Sequence, residues 1–226
     1  MNPVEYPTAW EYPATRRAWK KHMFMNAVGQ MAWVTAFPGL LYVMLVFTSQ
    51  GYVLIFTPFL LYSLYRAANQ VGYFSWAVRM RSILRQYPWR ILKDVPHGLY
   101  RHPEAMEEGA WFEFRDPGDS DRRVPLIFLR HQRAHWWLKR IGNARTKPGL
   151  RAEIEPLWFA GDPRFFGVIA AFSRDACEPK RLHILYQRSV FDSRRTPTAW
   201  NADIADVDRA RRAGARYLDA AHQPSA

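Results

Sequence analysis

The chain of 226 residues is 49% apolar and carries 32 Lys and Arg against 20 Asp and Glu, for a formal net charge of +12. This length supports one modest hydrophobic core, and the composition excludes a disordered chain, a collagen and a disulfide-stapled scaffold. The single cysteine, Cys177, excludes an intramolecular disulfide and a thiolate metal cluster.

A long uncharged stretch comes first, since no Lys, Arg, Asp or Glu occurs between Lys21 and Arg66. As an α-helix it would measure about 65 Å, roughly twice the thickness of a bilayer core. The small polar residues 48–51 near its middle are typical of a reversal. The sequence therefore predicts a two-helix transmembrane hairpin with spans at about 24–47 and 52–72. A buried helix pair is the alternative, but the rest of the chain offers too little apolar surface to surround it.

Basic residues flank both spans on the same side of this hairpin, whereas the reversal carries no charge. The positive-inside rule therefore predicts a multi-pass protein with both termini cytoplasmic, including a cytoplasmic tail over 1–22. The excess of Arg over Lys is typical of a high-GC bacterium, so the membrane is expected to be the bacterial inner membrane. The second helix is expected to continue as a stem, completing a unit over 23–87. Its Arg79, Arg81 and Arg85 would lie near anionic headgroups or only set the topology.

Beyond the stem, the long apolar runs give way to short ones. Strand-like segments are predicted at 109–115, 124–130, 155–160, 165–172 and 180–190. The loops 116–121 and 161–164 contain Pro, Gly and Asp and favour hairpins. We expect a cytoplasmic antiparallel β barrel or sandwich over 88–200, then a helix at about 201–220 and a disordered end, all within 201–226. The fold class is thus an α+β membrane protein.

The stem and the β domain carry a resemblance. The segment Arg79–Trp89, the tetrapeptide Tyr87-Pro88-Trp89-Arg90 and the run Trp158–Ala170 together resemble uncharacterised actinobacterial membrane proteins. The similarity covers about half of the chain. It implies a topology, two membrane helices with a small C-terminal cytoplasmic β domain, and no chemistry.

The segment 122–152 holds nine basic residues and no acidic one. Candidate contacts to the membrane surface or to other anions are Arg130, Arg133, Trp136, Trp137, Lys139 and Arg140. Interleaved cations and aromatics suit an anionic lipid surface. Nucleic acid is the weaker alternative. The third interpretation is structural, with the two Trp in the core and the cations along a solvated edge strand.

Catalytic and metal-binding patterns are not found. His131 and His135 have helical spacing, but no Glu lies between them as in a H-E-x-x-H site. Asp116, Asp119 and Asp121 lack the spacing of a calcium loop. The sequence therefore predicts no catalytic residue, no cofactor and no metal.

The leading hypothesis is a membrane-anchored β-domain module that binds a protein partner or the anionic membrane surface. One alternative is a homo-oligomeric subunit of a transporter or channel, although no Lys, Arg, Asp or Glu lies between Lys21 and Arg66. The other is an enzyme with an unrecognised site, for which Asp162, Arg164 and His183 would have to converge.

Overall fold

The computed structural model of the chain describes residues 3–47, 53–100, 102, 109–119, 121–128, 134–142, 146–172, 178–187, 190 and 202–216. It divides into two compact units. We call Lys20–Val78 the helical unit, and Met1–Trp19 with Arg79–Ala226 the sheet unit. The predicted reversal at 48–51 lies outside the described residues.

Two long helices supply the helical unit, α1 (Pro13–Phe47) and α2 (Val53–Gln86), and each continues along the chain into the sheet unit. Within the helical unit the Trp33 and Tyr62 rings meet edge to face, with centroids 5.6 Å apart. Gln70 Nε2 donates to the backbone oxygen of Asn26 at 3.2 Å. These contacts show that the two helices pack against each other.

Only α1, over Pro13–Val46, is both long and apolar enough to cross a membrane among the helices of the described residues. Its most apolar 18-residue stretch has a mean hydropathy of 1.4, and none of that stretch is buried. The described part of α2 falls short of the same criterion because Arg66, Asn69 and Gln70 follow its apolar residues. One candidate membrane helix is therefore present where the sequence predicts two.

The N-terminal residues are part of the sheet unit. The backbone amides of Ala9 and Trp10 donate to the carbonyl oxygens of Tyr87 and Leu84, each at 2.8 Å. Because α1 begins at Pro13, residues predicted as a tail are held against the end of α2.

Seven antiparallel strands form one sheet in the order β1-β5-β6-β7-β4-β3-β2. The strands are β1 (Arg90–Leu92), β2 (His97–Leu99), β3 (Ala110–Arg115), β4 (Arg123–Phe128), β5 (Leu157–Asp162), β6 (Phe166–Phe172) and β7 (Pro179–Tyr186). Both predicted hairpins are present, as β3–β4 and β5–β6. The sequence interpretation missed β1 and β2, which have only three residues each.

The connection between β1 and β2 explains why the sheet curls. These strands are the two edges of the sheet, yet only residues 93–96 join them. A flat seven-stranded sheet would be about 29 Å wide. The chain from Leu92 to His97 can span at most about 18 Å. The result is one curled sheet, a half-barrel. The α+β class and the antiparallel pairing are as predicted, and the predicted barrel or sandwich takes the form of this single curled sheet.

One face of the sheet packs on the short helix α3 (His135–Ile141), whose Trp137 and Ile141 lie in a cluster with Phe112, Phe128 and other side chains. A second short helix, α4 (Pro148–Arg151), leads into a 3₁₀ turn at Ala152–Ile154. These elements cover the face that carries the main hydrophobic core.

The opposite face of β5 is also buried. Its Trp158 meets the rings of Trp89 and Tyr12, with centroids 5.5 and 6.1 Å away. The Trp89 indole donates to Thr15 Oγ1 at 2.8 Å. The end of the stem and the start of α1 therefore complete the core of the sheet unit.

The predicted C-terminal helix is α5 (Ile204–Arg212), which is shorter than expected. Asp203 caps it, because its carboxylate accepts the backbone N–H of Asp206 at 2.7 Å. The last predicted helical residues, 217–220, and the predicted disordered end lie outside the described residues.

Candidate functional site

The predicted surface residues of the basic segment lie largely on α3. Arg130 and Arg133 fall outside the described residues. Trp137 is 2% exposed, and its indole donates to the carbonyl oxygen of Arg181 at 2.9 Å. This places Trp137 in the core, as the structural interpretation of the segment required, although the described candidate cations Lys139 and Arg140 lie on a helix and not on an edge strand.

Arg140 is engaged within the sheet unit. Its guanidinium lies 3.8 Å from the centre of the Trp136 ring and donates from Nε to Glu153 Oε2 at 2.8 Å. Its acidic partner, Glu153, lies one residue beyond the acid-free segment. The composition of 122–152 therefore did not reveal this ion pair. Only Lys139 of the four described candidates is exposed.

Two of the three residues of the enzyme hypothesis, Asp162 and Arg164, form a buried ion pair. Arg164 is 4% exposed and pairs with Asp162 at 2.6 Å and with Asp206 of α5. Burial alone would lower the pKa of Arg164, but its hydrogen bonds to the two carboxylates and their charges outweigh burial and raise that pKa above its ordinary value. The buried Arg164–Asp162 pair and the half-buried Asp206 join the β5–β6 turn to α5.

His183 belongs to another part of the sheet. It lies in β7 opposite Ile169, three pairs along from the Phe166–Tyr186 pair next to the turn. Its ring stacks on Phe128 at 4.1 Å. The arrangement gives His183 a packing role in the core.

The described residues of the sheet unit form an open cleft of about 820 Å³. None of the groups of the enzyme hypothesis lines it. Its lining consists of Asp94, Val95, Pro96, His97, Gly98, Leu99, Tyr100, Ile141, Gly142, Arg151 and Glu155. The cleft thus runs along the whole of β2 and its flanks.

Left-handed backbone brackets β2. Asp94 and Tyr100 have φ of 54° and 80°, a backbone conformation that residues other than glycine seldom adopt. Between them, a Cβ at Gly98 would lie 2.5 Å from the Trp111 ring, so only glycine fits there. The residues at both ends of β2 turn the chain sharply, and the strand between them is short and closely packed on β3.

Polar groups of both signs line the cleft. His97 Nδ1 lies 2.8 Å from the carbonyl oxygen of Val95, which can only accept, so Nδ1 carries the proton and Nε2 is the second ring nitrogen available for bonding. Arg151, Asp94 and Glu155 are exposed. No group of three or more potential metal ligands occurs among the described residues. The lining suits the binding of polar and charged groups.

A second charged region lies where α2 ends. Arg81 sits over the rings of Trp10 and Trp19, at 5.0 and 5.4 Å. Burial and, to a smaller degree, the charge of Arg216 lower the pKa of Arg79. Two cations from α2 and from the chain after α5 therefore approach each other.

Sequence reasoning did not find the cleft, because its residues come from four separate segments and none belongs to a known motif. Comparison with known proteins finds no matching family, no curated protein similar in sequence and no solved structure similar in fold.

Proposed function

We propose that the chain is a membrane-anchored module in which α1 and α2 cross the bilayer as a hairpin and hold the sheet unit at the cytoplasmic face. The observation that carries this proposal is the exposure of apolar side chains along both helices. Examples are Phe24 at 66% and Leu45 at 72% on α1, and Leu54 at 81% and Leu61 at 63% on α2. In water such a surface would be unfavourable by about 25 cal/mol for each Å². Lipid is the environment that suits it.

The polar residues of α2 are compatible with a second span. The Arg66 guanidinium lies over the Trp33 ring at 5.3 Å, and a long side chain of this kind can reach the interface from within the helix. Gln70 donates to a backbone oxygen of α1, so its amide is partly satisfied without water.

The partner that we propose for the cytoplasmic side is the anionic membrane surface. Arg79 lies seven residues along α2 from the predicted end of the span at 72, and Arg216 approaches it. Cations close to an anionic leaflet are each stabilised by about 1 kcal/mol. Of the described cations on α3, Lys139 is exposed, whereas Arg140 is held by Glu153.

Cysteine accessibility tests the topology. In a Cys177→Ser background, G118C lies in an exposed turn of the sheet unit, and Q50C lies in the reversal that the sequence predicts. With a membrane-impermeant maleimide, we expect Q50C to be labelled in intact cells and G118C only after permeabilisation. A160C, at a fully buried position, is the control for unfolded protein.

Extraction at alkaline pH completes the test. We expect the protein to stay in the membrane pellet, as an integral protein does. Release into the supernatant, or equal labelling of G118C and Q50C in intact cells, would contradict the hairpin.

A further inference from the structure

The edge of the sheet at β2 has backbone hydrogen-bonding groups that pair with no strand among the described residues. Glu113 N donates to Pro96 O at 2.9 Å, and Gly109 N donates to Tyr100 O at 3.3 Å. In an antiparallel ladder every second residue bonds to the same neighbour. Residues 96, 98 and 100 therefore bond to β3, and the N–H and C=O groups of His97 and Leu99 point away from it. Among the described residues β2 pairs with no other strand.

This edge lies in the cleft. All of residues 94–100 line the 820 Å³ space, and Ile141 gives it an apolar patch. An exposed strand edge beside a cavity is the arrangement in which an extended peptide adds a strand, with its backbone bonding to the edge and its side chains entering pockets.

The charged residues at one end of the cleft indicate the charge of a peptide that would bind there. The β1–β5 pairing ends with Leu92 opposite Leu157. Asp94 lies two residues after Leu92 and Glu155 two residues before Leu157, and both line the cleft. Both are exposed cleft residues, and neither forms an ion pair with a described residue. Two carboxylates on a protein of net charge +12 favour a cationic group and disfavour an anionic lipid headgroup at this place.

We propose that the cleft binds an extended segment of a partner protein, which adds a strand to the edge of β2 and places a Lys or Arg side chain beside Asp94 and Glu155. This interaction surface lies entirely in the sheet unit. It does not depend on whether α1 and α2 span a bilayer.

The probe is a random heptapeptide library displayed on phage and selected against the full chain in phosphatidylcholine nanodiscs. We expect the selected peptides to share one basic position. Binding of a synthetic selected peptide should weaken at least tenfold in D94N/E155Q. Asn tolerates the left-handed backbone at 94, so this variant keeps the fold. The matched control, E5Q/D121N, removes two carboxylates outside the cleft and should bind as the unaltered protein does.

Amide hydrogen exchange locates the peptide. Bound peptide should slow exchange of the His97 and Leu99 amides at least tenfold and leave Gly98, already bonded to β3, unchanged. The proposal is overturned if no selected peptide binds with a Kd below about 1 mM. It is equally overturned if binding persists unchanged in D94N/E155Q, or if exchange at His97 and Leu99 does not change.

Discussion

Arg164 shows how single residues fix the C-terminal part of the sheet unit. Its guanidinium is shared between Asp162, two residues before it, and Asp206 of α5. The apolar stripe of α5 is thin, with Val207 and Ala210 as its buried residues. The ion trio therefore contributes much of the attachment of α5.

Replacing this cation tests its role. R164M leaves the buried Asp162 carboxylate without a cation, although it still accepts the backbone N–H of residue 164. Loss of one member of a buried ionic pair costs about 3–5 kcal/mol. We expect the free energy of unfolding in urea, followed by tryptophan fluorescence, to fall by that amount. R211M, which breaks the exposed Arg211–Asp208 pair, should cost about 0–1 kcal/mol. Equal losses of stability in R164M and R211M would argue against a buried Arg164–Asp162 pair.

Tyr87 is a second residue whose environment makes a prediction. Its hydroxyl is buried, with no hydrogen-bond partner among the described residues. Burial, and then the negative charge of Asp162, raise the pKa of this phenol above its ordinary value. The folded state therefore keeps the Tyr87 proton at a pH where the unfolded chain loses it.

The sign of the pH effect follows from this difference. Above pH 10, about where an unperturbed tyrosine ionises, the unfolded state binds fewer protons than the folded state, so stability falls as pH rises. Y87F should remove this part of the decline, and at pH 7 it should be neutral or stabilising by up to about 1 kcal/mol. Thermal unfolding of the unaltered protein and of Y87F at pH 7 and pH 10.5 measures the stability at neutral pH and its decline at high pH. A large loss of stability in Y87F at pH 7 would show that the hydroxyl has a partner.

Among the elements, α3 is the one whose role the sequence left open. Its seven residues combine the buried Trp137 with the exposed Lys139, and Trp137 packs with Phe112 and Phe128. We expect W137A to destabilise the protein by about 3–5 kcal/mol, as large aromatic truncations do. K139A, two residues along the same helix, should change stability by less than about 0.5 kcal/mol. Urea unfolding of the pair distinguishes a core role from a surface role, and a stable W137A would contradict the packing.

An element could be predicted from the sequence only where its own residues show a periodic apolar pattern or turn residues. The β3–β4 and β5–β6 hairpins combine alternating or aromatic runs with Pro, Gly and Asp turns, and both were predicted. β1 and β2 are too short to show a period, and their place is set by pairing with strands distant in the chain. The acid-free segment pointed to a surface, but a neighbouring Glu153 neutralises Arg140. The cleft depends on the curl, which no local pattern encodes.

On the scale of the whole molecule, the net charge of +12 suggests how lipid composition acts on the protein. If the sheet unit contacts the leaflet through its basic residues, anionic lipid stabilises it. We expect the unfolding temperature in nanodiscs to be higher with 30% anionic lipid than with neutral lipid. High salt should remove the difference, because about 1 M salt screens charges beyond about 3 Å.

A pair of variants identifies the surface. R79Q/R216Q should reduce the gain from anionic lipid, whereas R115Q, at the exposed end of β3, should leave it intact. If R79Q/R216Q behaves like R115Q, the contact lies elsewhere on the protein.

The strand order also dictates a sequence of events during synthesis. β1 emerges from the ribosome directly after the stem, yet its only partner in the described sheet is β5, which is made much later. The β3–β4 hairpin can form locally meanwhile, whereas pairing between distant segments is slow. We expect β1 to stay unpaired next to the end of α2 until β5 has been synthesised, so the β1–β5 pairing that completes this edge of the sheet forms late.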